Sequence, residues 1–279
     1  MKKLISLGCA AIAAMLLLTA CGGNAGNEII VVSRESGSGT RGAFVELTGL
    51  EVDGNDMTSP EAVISQSANA IMTNVVGDEA AIGYISMGSV NNTIKTVSIN
   101  GVAATPANVL AGTYPIARPF IVVMGDELSP VAQDFVDFIM SSQGQDIIAI
   151  SYIPVDLNAP SFTTSGASGT VVVGGSTSVA PVMERLREAY LVLNPNATIE
   201  VHSTGSGAGI TGAIDGLLDI GMSSRDIRDS EIAQLHNHIT ICKDGIAIIV
   251  NNNNSVSNLT MEQVRQIFTG ETSNWDDIN

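Results

Sequence analysis

Three short loops of glycine, serine and threonine each follow an apolar segment and precede a segment with helical character. They are residues 36–40 (SGSGT), 174–178 (GGSTS) and 204–209 (TGSGAG). Glycine lets an oxyanion approach the backbone, and the unpaired N–H groups at a helix N-terminus attract negative charge. Serine and threonine hydroxyls add further donors at the same distance. Three loops of one design therefore predict a binding site for an anion.

Arg34 stands two residues before the first of these loops. Its guanidinium can hold a tetrahedral oxyanion through two hydrogen bonds. The alternative is an ion pair at the surface, for which Glu35 is the one good carboxylate partner nearby. The loops do not fit the G-x-G-x-x-G pattern, and no Gly-Lys-Ser/Thr follows them as in a P-loop, so nucleotide binding is disfavoured.

The sequence gives little support for an enzyme. A serine nucleophile needs a base, and the histidines are His202, His236 and His238. The last two stand in a polar stretch, where solvated loop residues are expected, and cysteine and histidine nowhere show zinc spacing. We therefore predict a binding protein with no catalytic residues, no metal and no cofactor.

The composition narrows the class of protein further. The chain has 28 acidic and 12 basic residues, a formal charge of −16, which is the opposite of the basic footprint of a nucleic-acid binder. Hydrophobic residues make up 45% and charged residues 14%, as expected for a packed globular chain. Because one core seldom serves more than about 250 residues, 279 residues favour two lobes.

Strand-like and helix-like segments alternate along the chain, which predicts an α/β fold. Helices are expected from Pro60 to about Val75, from Pro130, over residues 182–193, and from Thr260 onward, where the spacing fits a capping box. Residues 158–169 are rich in serine, threonine, glycine and proline, as is typical of a linker. The apolar strands are predicted at residues 28–33, 80–85, 119–124, 170–173, 198–201 and 246–250.

The N-terminus has the features of a secretory signal over residues 1–20, and its apolar run is too short to span a membrane. Leu-Thr-Ala-Cys, ending at Cys21, resembles the bacterial lipobox, which implies a diacylated cysteine that anchors the chain at the outer face of the cell membrane. An ordinary signal with an incidental cysteine is the alternative. Small polar residues up to Asn27 suit a flexible tether. Cys242 would then be the remaining thiol, and we expect it to be buried.

Many separate segments resemble the phosphate-binding proteins of bacterial phosphate ABC transporters (PstS type), and together they cover nearly all of the mature chain. The resemblance implies a type II periplasmic-binding-protein-like fold with a ligand cleft between two α/β lobes. It also implies a receptor that captures inorganic phosphate for a membrane ABC permease. The segments are residues 33–41, 175–181, 205–209, 219–225, 243–247, 259–270, 274–275, 81–84 and 142–145.

The order of these segments differs from the order in the family, where the loop here at 174–178 comes first and the segment here at 142–145 closes the chain. The resemblance therefore implies a circular permutant. One lobe would be continuous over residues 114–250, and the other would be split between 28–113 and 251–279. Permutation is tolerated when the old termini lie close together and the new cut falls in an exposed loop.

The resemblance also implies the phosphate ligands. Serine stands at Ser36 and Ser224, where some members have an acidic residue that could accept the proton of phosphate, so selectivity against sulfate stays open. The rival interpretations are a receptor for sulfate or another tetrahedral oxyanion, a phosphatase-like hydrolase on the same scaffold, and a rearranged product that pairs with another copy. The implied ligands are Arg34, Ser38, Gly39 and Thr40 from one lobe and Thr177, Ser178, Ser206 and Ser224 from the other.

Overall fold

A computed structural model describes residues 27–278. The predicted signal over residues 1–20, the acylation site Cys21 and residues 22–26 of the tether lie outside the described residues. None of the described helices is long and apolar enough to cross a lipid bilayer.

The described segments alternate between strands and helices, which confirms the α/β prediction. The strands are β1 (Ile30–Arg34), β2 (Glu51–Val52), β3 (Asn55–Asp56), β4 (Val63–Ser65), β5 (Ala81–Ser86), β6 (Lys95–Ile99), β7 (Ala117–Met124), β8 (Ile153–Pro154), β9 (Gly169–Gly175), β10 (Ala197–Ser203), β11 (Ile220–Ser223), β12 (Asn237–Val250) and β13 (Asn258–Leu259). The helices are α1 (Gly39–Leu47), α2 (Ala68–Gly77), α3 (Pro106–Leu110), α4 (Pro130–Ile139), α5 (Ser142–Ala149), α6 (Ala180–Leu193), α7 (Ser206–Ile214), α8 (Asp229–Ile232) and α9 (Met261–Thr269).

The long strand β12 joins the two halves of the sheet. The strands follow the order β10-β9-β11-β7-β12-β5-β1-β4, with β6, β8 and β13 attached beside this path. Residues 237–245 of β12 pair antiparallel with β7, and residues 246–250 pair antiparallel with β5. One continuous strand therefore passes from one lobe into the other.

Each half of the sheet has its own hydrophobic core. One core is built around Phe120, Phe135 and Tyr190, and the other around Phe44 and Phe268. The second core, with a smaller cluster beside it, also takes in β12 from Ile246 to Val250, together with Tyr114 and Ile116. Strands β7 and β12 therefore run across the junction between the cores, and one end of each packs against the second core or the cluster beside it.

The helix predicted from Pro60 begins later than expected. Residues 63–65 form β4, which pairs parallel with β1, and α2 starts at Ala68 with Ser67 as its N-cap. Pairing with a neighbouring strand outweighs the local helix signal at Ser59 and Pro60, because β-strand formation depends on tertiary context more than on local sequence. The other predicted helices form, and Thr260 and Gln263 make the predicted capping box.

Residues 155–168 form neither helix nor strand, and β9 begins at Gly169. The predicted linker is nevertheless held against its lobe. The backbone N–H of Ser165 and the hydroxyl of Thr164 donate to Asp134 at 2.8 and 2.9 Å, and Tyr190 donates to the same carboxylate at 2.9 Å. Buried Asp134 thus ties this segment to α4 and α6.

Candidate anion-binding site

Arg34 ends β1, and the neighbouring strand fixes its position. The hydroxyl of Tyr84, on β5, accepts a hydrogen bond from the Arg34 backbone N–H at 3.2 Å and contacts the Ser33 hydroxyl at 2.8 Å. The Tyr84 ring stacks on Phe44 with centroids 3.9 Å apart. Burial raises the pKa of Tyr84, and its hydrogen bond with Ser33 opposes that shift. The Tyr84 hydroxyl that supports Arg34 therefore stays neutral.

The Arg34 guanidinium has partners in both lobes, although only 1% of the residue is exposed. Its Nε and Nη2 donate to the two carboxylate oxygens of Glu35 at 2.8 and 2.7 Å. Its Nη2 also donates to the Thr177 hydroxyl, 2.7 Å away in the other lobe. The ion pair with Glu35 therefore forms, but it is held at the contact between the lobes rather than at a free surface.

The N-terminus of α1 meets the loop that follows β9. Ser38 is the N-cap of α1, and its hydroxyl accepts from the Arg41 N–H at 3.4 Å. The hydroxyl of Thr40, in the first turn, lies 2.7 Å from the Ser178 hydroxyl of the other lobe. Thr40 and Ser178 are both buried, so this contact lies in the interior where the two lobes meet.

Three serines of the other lobe form a buried hydroxyl cluster. Ser176 donates to the hydroxyl of Ser224 at 2.8 Å, and the Ser224 backbone N–H donates to the Ser206 hydroxyl at 3.1 Å. The Ser206 and Ser224 hydroxyls are 3.4 Å apart. Because these residues come from the ends of β9, β11 and the start of α7, the parallel strands β9 and β11 deliver them to one edge of the sheet.

The two Gly-Ser-Gly loops touch each other across the lobes. The Gly207 N–H donates to the Gly37 carbonyl at 3.1 Å. Gly39 packs so closely on Ser206 and Ser224 that a Cβ on it would clash with the Ser206 hydroxyl and lie 2.8 Å from the Ser224 hydroxyl. Glycine at position 39 is therefore required for this approach.

The structure thus brings the eight predicted site residues together where the lobes meet. Ser176 also belongs to this cluster; the sequence does not predict it as a ligand, although it stands inside the loop at residues 174–178. The eight residues are Arg34, Ser38, Gly39, Thr40, Thr177, Ser178, Ser206 and Ser224.

A buried ion pair lies next to the site. Asp244 belongs to segment 243–247, which carries part of the resemblance, but no local pattern pairs it with Arg118. Arg118 on β7 and Asp244 on β12 lie opposite each other, and Nε and Nη2 of Arg118 donate to Oδ2 of Asp244 at 3.2 and 3.0 Å. Nη1 of Arg118 donates to the Ser224 carbonyl at 3.1 Å. Burial raises the pKa of Asp244, and the guanidinium of Arg118 opposes that shift. Strand pairing, not sequence spacing, brings these two charges together.

A groove of about 580 Å³ lies beside the site and is lined by residues of both lobes. Arg41 pairs with Asp56 at 2.6 Å and Arg225 with Glu231 at 2.7 Å. Burial alone would raise the pKa of Asp56, but hydrogen bonds from Thr58 and the guanidinium of Arg41 outweigh it and leave the pKa below its ordinary value. Five of the 12 basic residues of the sequence lie at the site or its groove: Arg34, Arg41, Arg118, Arg225 and Arg228.

Over residues 27–278, histidine, cysteine, aspartate and glutamate form no group of three that could hold a metal ion. His236 and His238 are exposed, but His238 lies on β12 and not in a loop. Cys242 is buried, as predicted, and burial raises the pKa of its thiol well above the ordinary value.

The sequence is similar to known proteins along nearly its whole length. The profile described as a PBP superfamily domain matches residues 13–143 and 160–279. The phosphate-binding protein PstS 2 of Streptococcus agalactiae is 40% identical over 293 residues, which cover all of both chains. The protein of the same name from Streptococcus pneumoniae is 42% identical over 99% of both chains. The chain belongs to the PstS group of the PBP superfamily.

The fold agrees with this membership. A crystal structure of a phosphate-binding protein of a phosphate ABC transporter from Streptococcus pneumoniae superposes with a TM-score of 0.75 and 43% identity, over 90% of this chain and 100% of that one. PstS of Staphylococcus haemolyticus aligns over a shorter stretch, at 37% identity over 38% of this chain and 35% of its own. The two-lobed fold of the PBP superfamily is thus confirmed, and the permuted order stays a prediction.

Proposed function

We propose that this protein captures inorganic phosphate between its lobes and delivers it to a membrane ABC permease. The observation that carries the proposal is the contact of Arg34 with Thr177, made where three glycine-serine loops converge and water is largely excluded. The streptococcal relatives are phosphate-binding proteins by name, and their similarity over the whole chain supports the same ligand. Substrate-binding proteins of ABC transporters bind their ligand and deliver it, and they do not catalyse a reaction.

The chemistry of the site suits a tetrahedral oxyanion. Arg34 supplies planar donors, the first turn of α1 supplies N–H groups and the Thr40 hydroxyl, and the opposite lobe supplies the hydroxyls of Ser178 and Ser206. The chain as a whole is strongly acidic, with a charge of −16, and repels an anion at long range. Affinity must therefore come from short-range hydrogen bonds in a site sheltered from water and salt.

Calorimetric titration of the purified protein with phosphate tests the proposal. We expect saturable binding with one phosphate per chain, and a folded protein that takes up no phosphate would overturn the proposal.

Incubation with p-nitrophenyl phosphate distinguishes a binding protein from the hydrolase alternative, because a binding protein releases no nitrophenolate. A monomeric mass in solution with one cooperative unfolding transition argues against assembly from two copies.

A receptor for sulfate is the second candidate, because neither Ser36 nor Ser224 can act as a carboxylate acceptor for the proton that phosphate carries near neutral pH. Within residues 27–278, the carboxylate that contacts Arg34 is that of Glu35, and both of its oxygens accept from the guanidinium. Competition between phosphate and sulfate at fixed pH distinguishes the candidates. Displacement of bound phosphate by equimolar sulfate would favour the broader oxyanion receptor.

The protein acts outside the cytoplasm at the membrane, and we propose that acyl chains on Cys21 attach it there. The lipobox-like Leu-Thr-Ala-Cys supports this attachment. Cys21→Ser is expected to move the protein from the membrane fraction to the medium. Mass spectrometry of the wild-type N-terminus should show the acyl mass, and an unmodified Cys21 would contradict the anchor.

The permuted order is part of the same proposal, with a split lobe over residues 28–113 and 251–279 and a continuous lobe over 114–250. The two described ends lie side by side, which supports it. Glu28 forms a β-bridge with Asn274, and Asn27 donates to Asp276 at 2.6 Å. A chain that joins these ends and opens within residues 158–169 should fold and bind phosphate with the affinity of the parent.

A further inference from the structure

The buried pair Arg118 and Asp244 lies at the point where β12 changes partners. Arg118 and Asp244 face each other across β7 and β12, and two residues further along, Ile246 pairs with Ser86 on β5. Arg118 is 3% exposed and Asp244 is fully buried. The pair therefore occupies the strands that connect the two lobes.

A third hydrogen bond links this pair to the anion site. Nη1 of Arg118 donates to the Ser224 carbonyl at 3.1 Å, while Nε and Nη2 are held by Asp244. On its other side, the Ser224 N–H donates to the Ser206 hydroxyl. The carbonyl of Ser224 is thus held from β7 and its N–H from the start of α7.

We propose that Arg118, oriented by Asp244, is a positioning residue of the site, which fixes the backbone at Ser224 and so aims the hydroxyls of Ser224 and Ser206. The effect of this positioning on phosphate affinity rests on the proposed phosphate-binding function. A planar guanidinium with donors on three nitrogens can hold a carboxylate and a carbonyl at a fixed angle, and an ammonium group cannot.

Stability alone does not explain this pair. Burying two charges carries a desolvation cost about as large as the attraction between them, and apolar residues of similar volume often serve a fold as well or better. The surroundings offset this cost only in part, since burial still raises the pKa of Asp244 although Arg118, the Ser86 hydroxyl and the Gly88 N–H all interact with its carboxylate. A pair that costs so much next to the site is better explained by its hold on Ser224.

The test compares Arg118→Lys and Asp244→Asn with Asp134→Asn in full-length protein. Asp134 is also a buried carboxylate, and its partners Tyr190, Thr164 and Ser165 lie outside the site. Three quantities are measured for each: the melting temperature, the hydrogen-exchange rate of the Ser224 amide without phosphate, and the phosphate Kd of the folded protein.

For Arg118→Lys and Asp244→Asn we expect Ser224 amide exchange to be about tenfold faster and the phosphate Kd to be about tenfold higher. These factors correspond to about 1.4 kcal/mol each, the scale of one hydrogen bond to a charged group. Asp134→Asn should lower the melting temperature while both other quantities stay within twofold of the parent. If Arg118→Lys does not fold, Asp244→Asn, which keeps the side-chain shape, decides alone.

Unchanged Ser224 exchange in the folded variants, or equal acceleration in Asp134→Asn, would overturn the positioning role. Faster exchange with an unchanged Kd would overturn its consequence for binding. If the parent itself takes up no phosphate, the proposed function fails, and the exchange measurement still decides whether Arg118 holds Ser224.

Discussion

The loops before α1 and α7 share the letters Gly-Ser-Gly, but they enter the site in different ways. In the first, Ser38 caps α1 through its hydroxyl, and Arg34 and Glu35 precede the loop as an ion pair. In the second, the cap is Gly205, at φ +97, and the Ser206 hydroxyl accepts from the N–H of Ser224 in its own lobe. The first loop brings the cation, and the second brings a hydroxyl already tied to its surroundings.

This difference shows that a short motif sets backbone shape, whereas its neighbours set its chemistry. Both loops give a close approach at a helix N-terminus, and the bond from Gly207 to the Gly37 carbonyl joins them across the lobes. Only the first loop carries Arg34, which reaches Thr177 on the opposite side. The two loops are therefore expected to respond differently to matched substitutions.

The largest effect is expected where the loops differ in charge. Arg34→Ala removes the guanidinium and leaves Glu35 facing the anion, and hydrogen bonds to a charged group contribute about 1.5–3 kcal/mol. We expect phosphate affinity to fall by about 100-fold in calorimetry. Arg187→Ala on α6, whose partner is Glu184, should change it by less than about twofold. Equal affinities for Arg34→Ala and the parent would show that Arg34 is not a ligand.

The next effect separates the glycines of the two loops. Gly39→Ala drives a Cβ into the Ser206 hydroxyl, whereas a Cβ at Gly207 would meet only Gly37, at 3.5 Å. Overpacking costs about 1–3 kcal/mol, so Gly39→Ala should weaken phosphate binding by about tenfold or more. Gly207→Ala should stay within about threefold of the parent. A reversed order would show that the lobes close differently around phosphate.

The smallest effect is expected in the third loop. Thr177→Val keeps the side-chain shape but removes the hydroxyl that accepts from Arg34. Hydrogen bonds to charged groups contribute about 1.5–3 kcal/mol, but Arg34 keeps its two bonds to Glu35, so we expect affinity to fall by only about fivefold. Thr73→Val, at an exposed position of α2, serves as the control, because the Thr73 hydroxyl donates to the Asn69 carbonyl of the same helix. An unchanged Kd for Thr177→Val would leave Arg34 as a ligand without help from Thr177.

Local signals in the sequence predicted much of the fold correctly. The capping box at Thr260, the proline at the start of α4 and the apolar strand of β5 were all visible as short patterns. The failure at Pro60 has a physical reason, since parallel pairing with β1 depends on residues far away in sequence. The same reason hides Arg118 and Asp244, which are 126 residues apart and meet through strand register.

The sequence by itself determined the α/β class, the three anion-type loops and Arg34 as the candidate cation, because each depends on residue types within a few positions. Only the tertiary structure decided which hydroxyls face each other, that Glu35 and Thr177 share the Arg34 guanidinium, and that Gly39 must be glycine. The contacts of Arg34 with Thr177 and of Gly39 with Ser206 join the two lobes. They arise from the pairing of β12 with both β7 and β5, which no local pattern encodes.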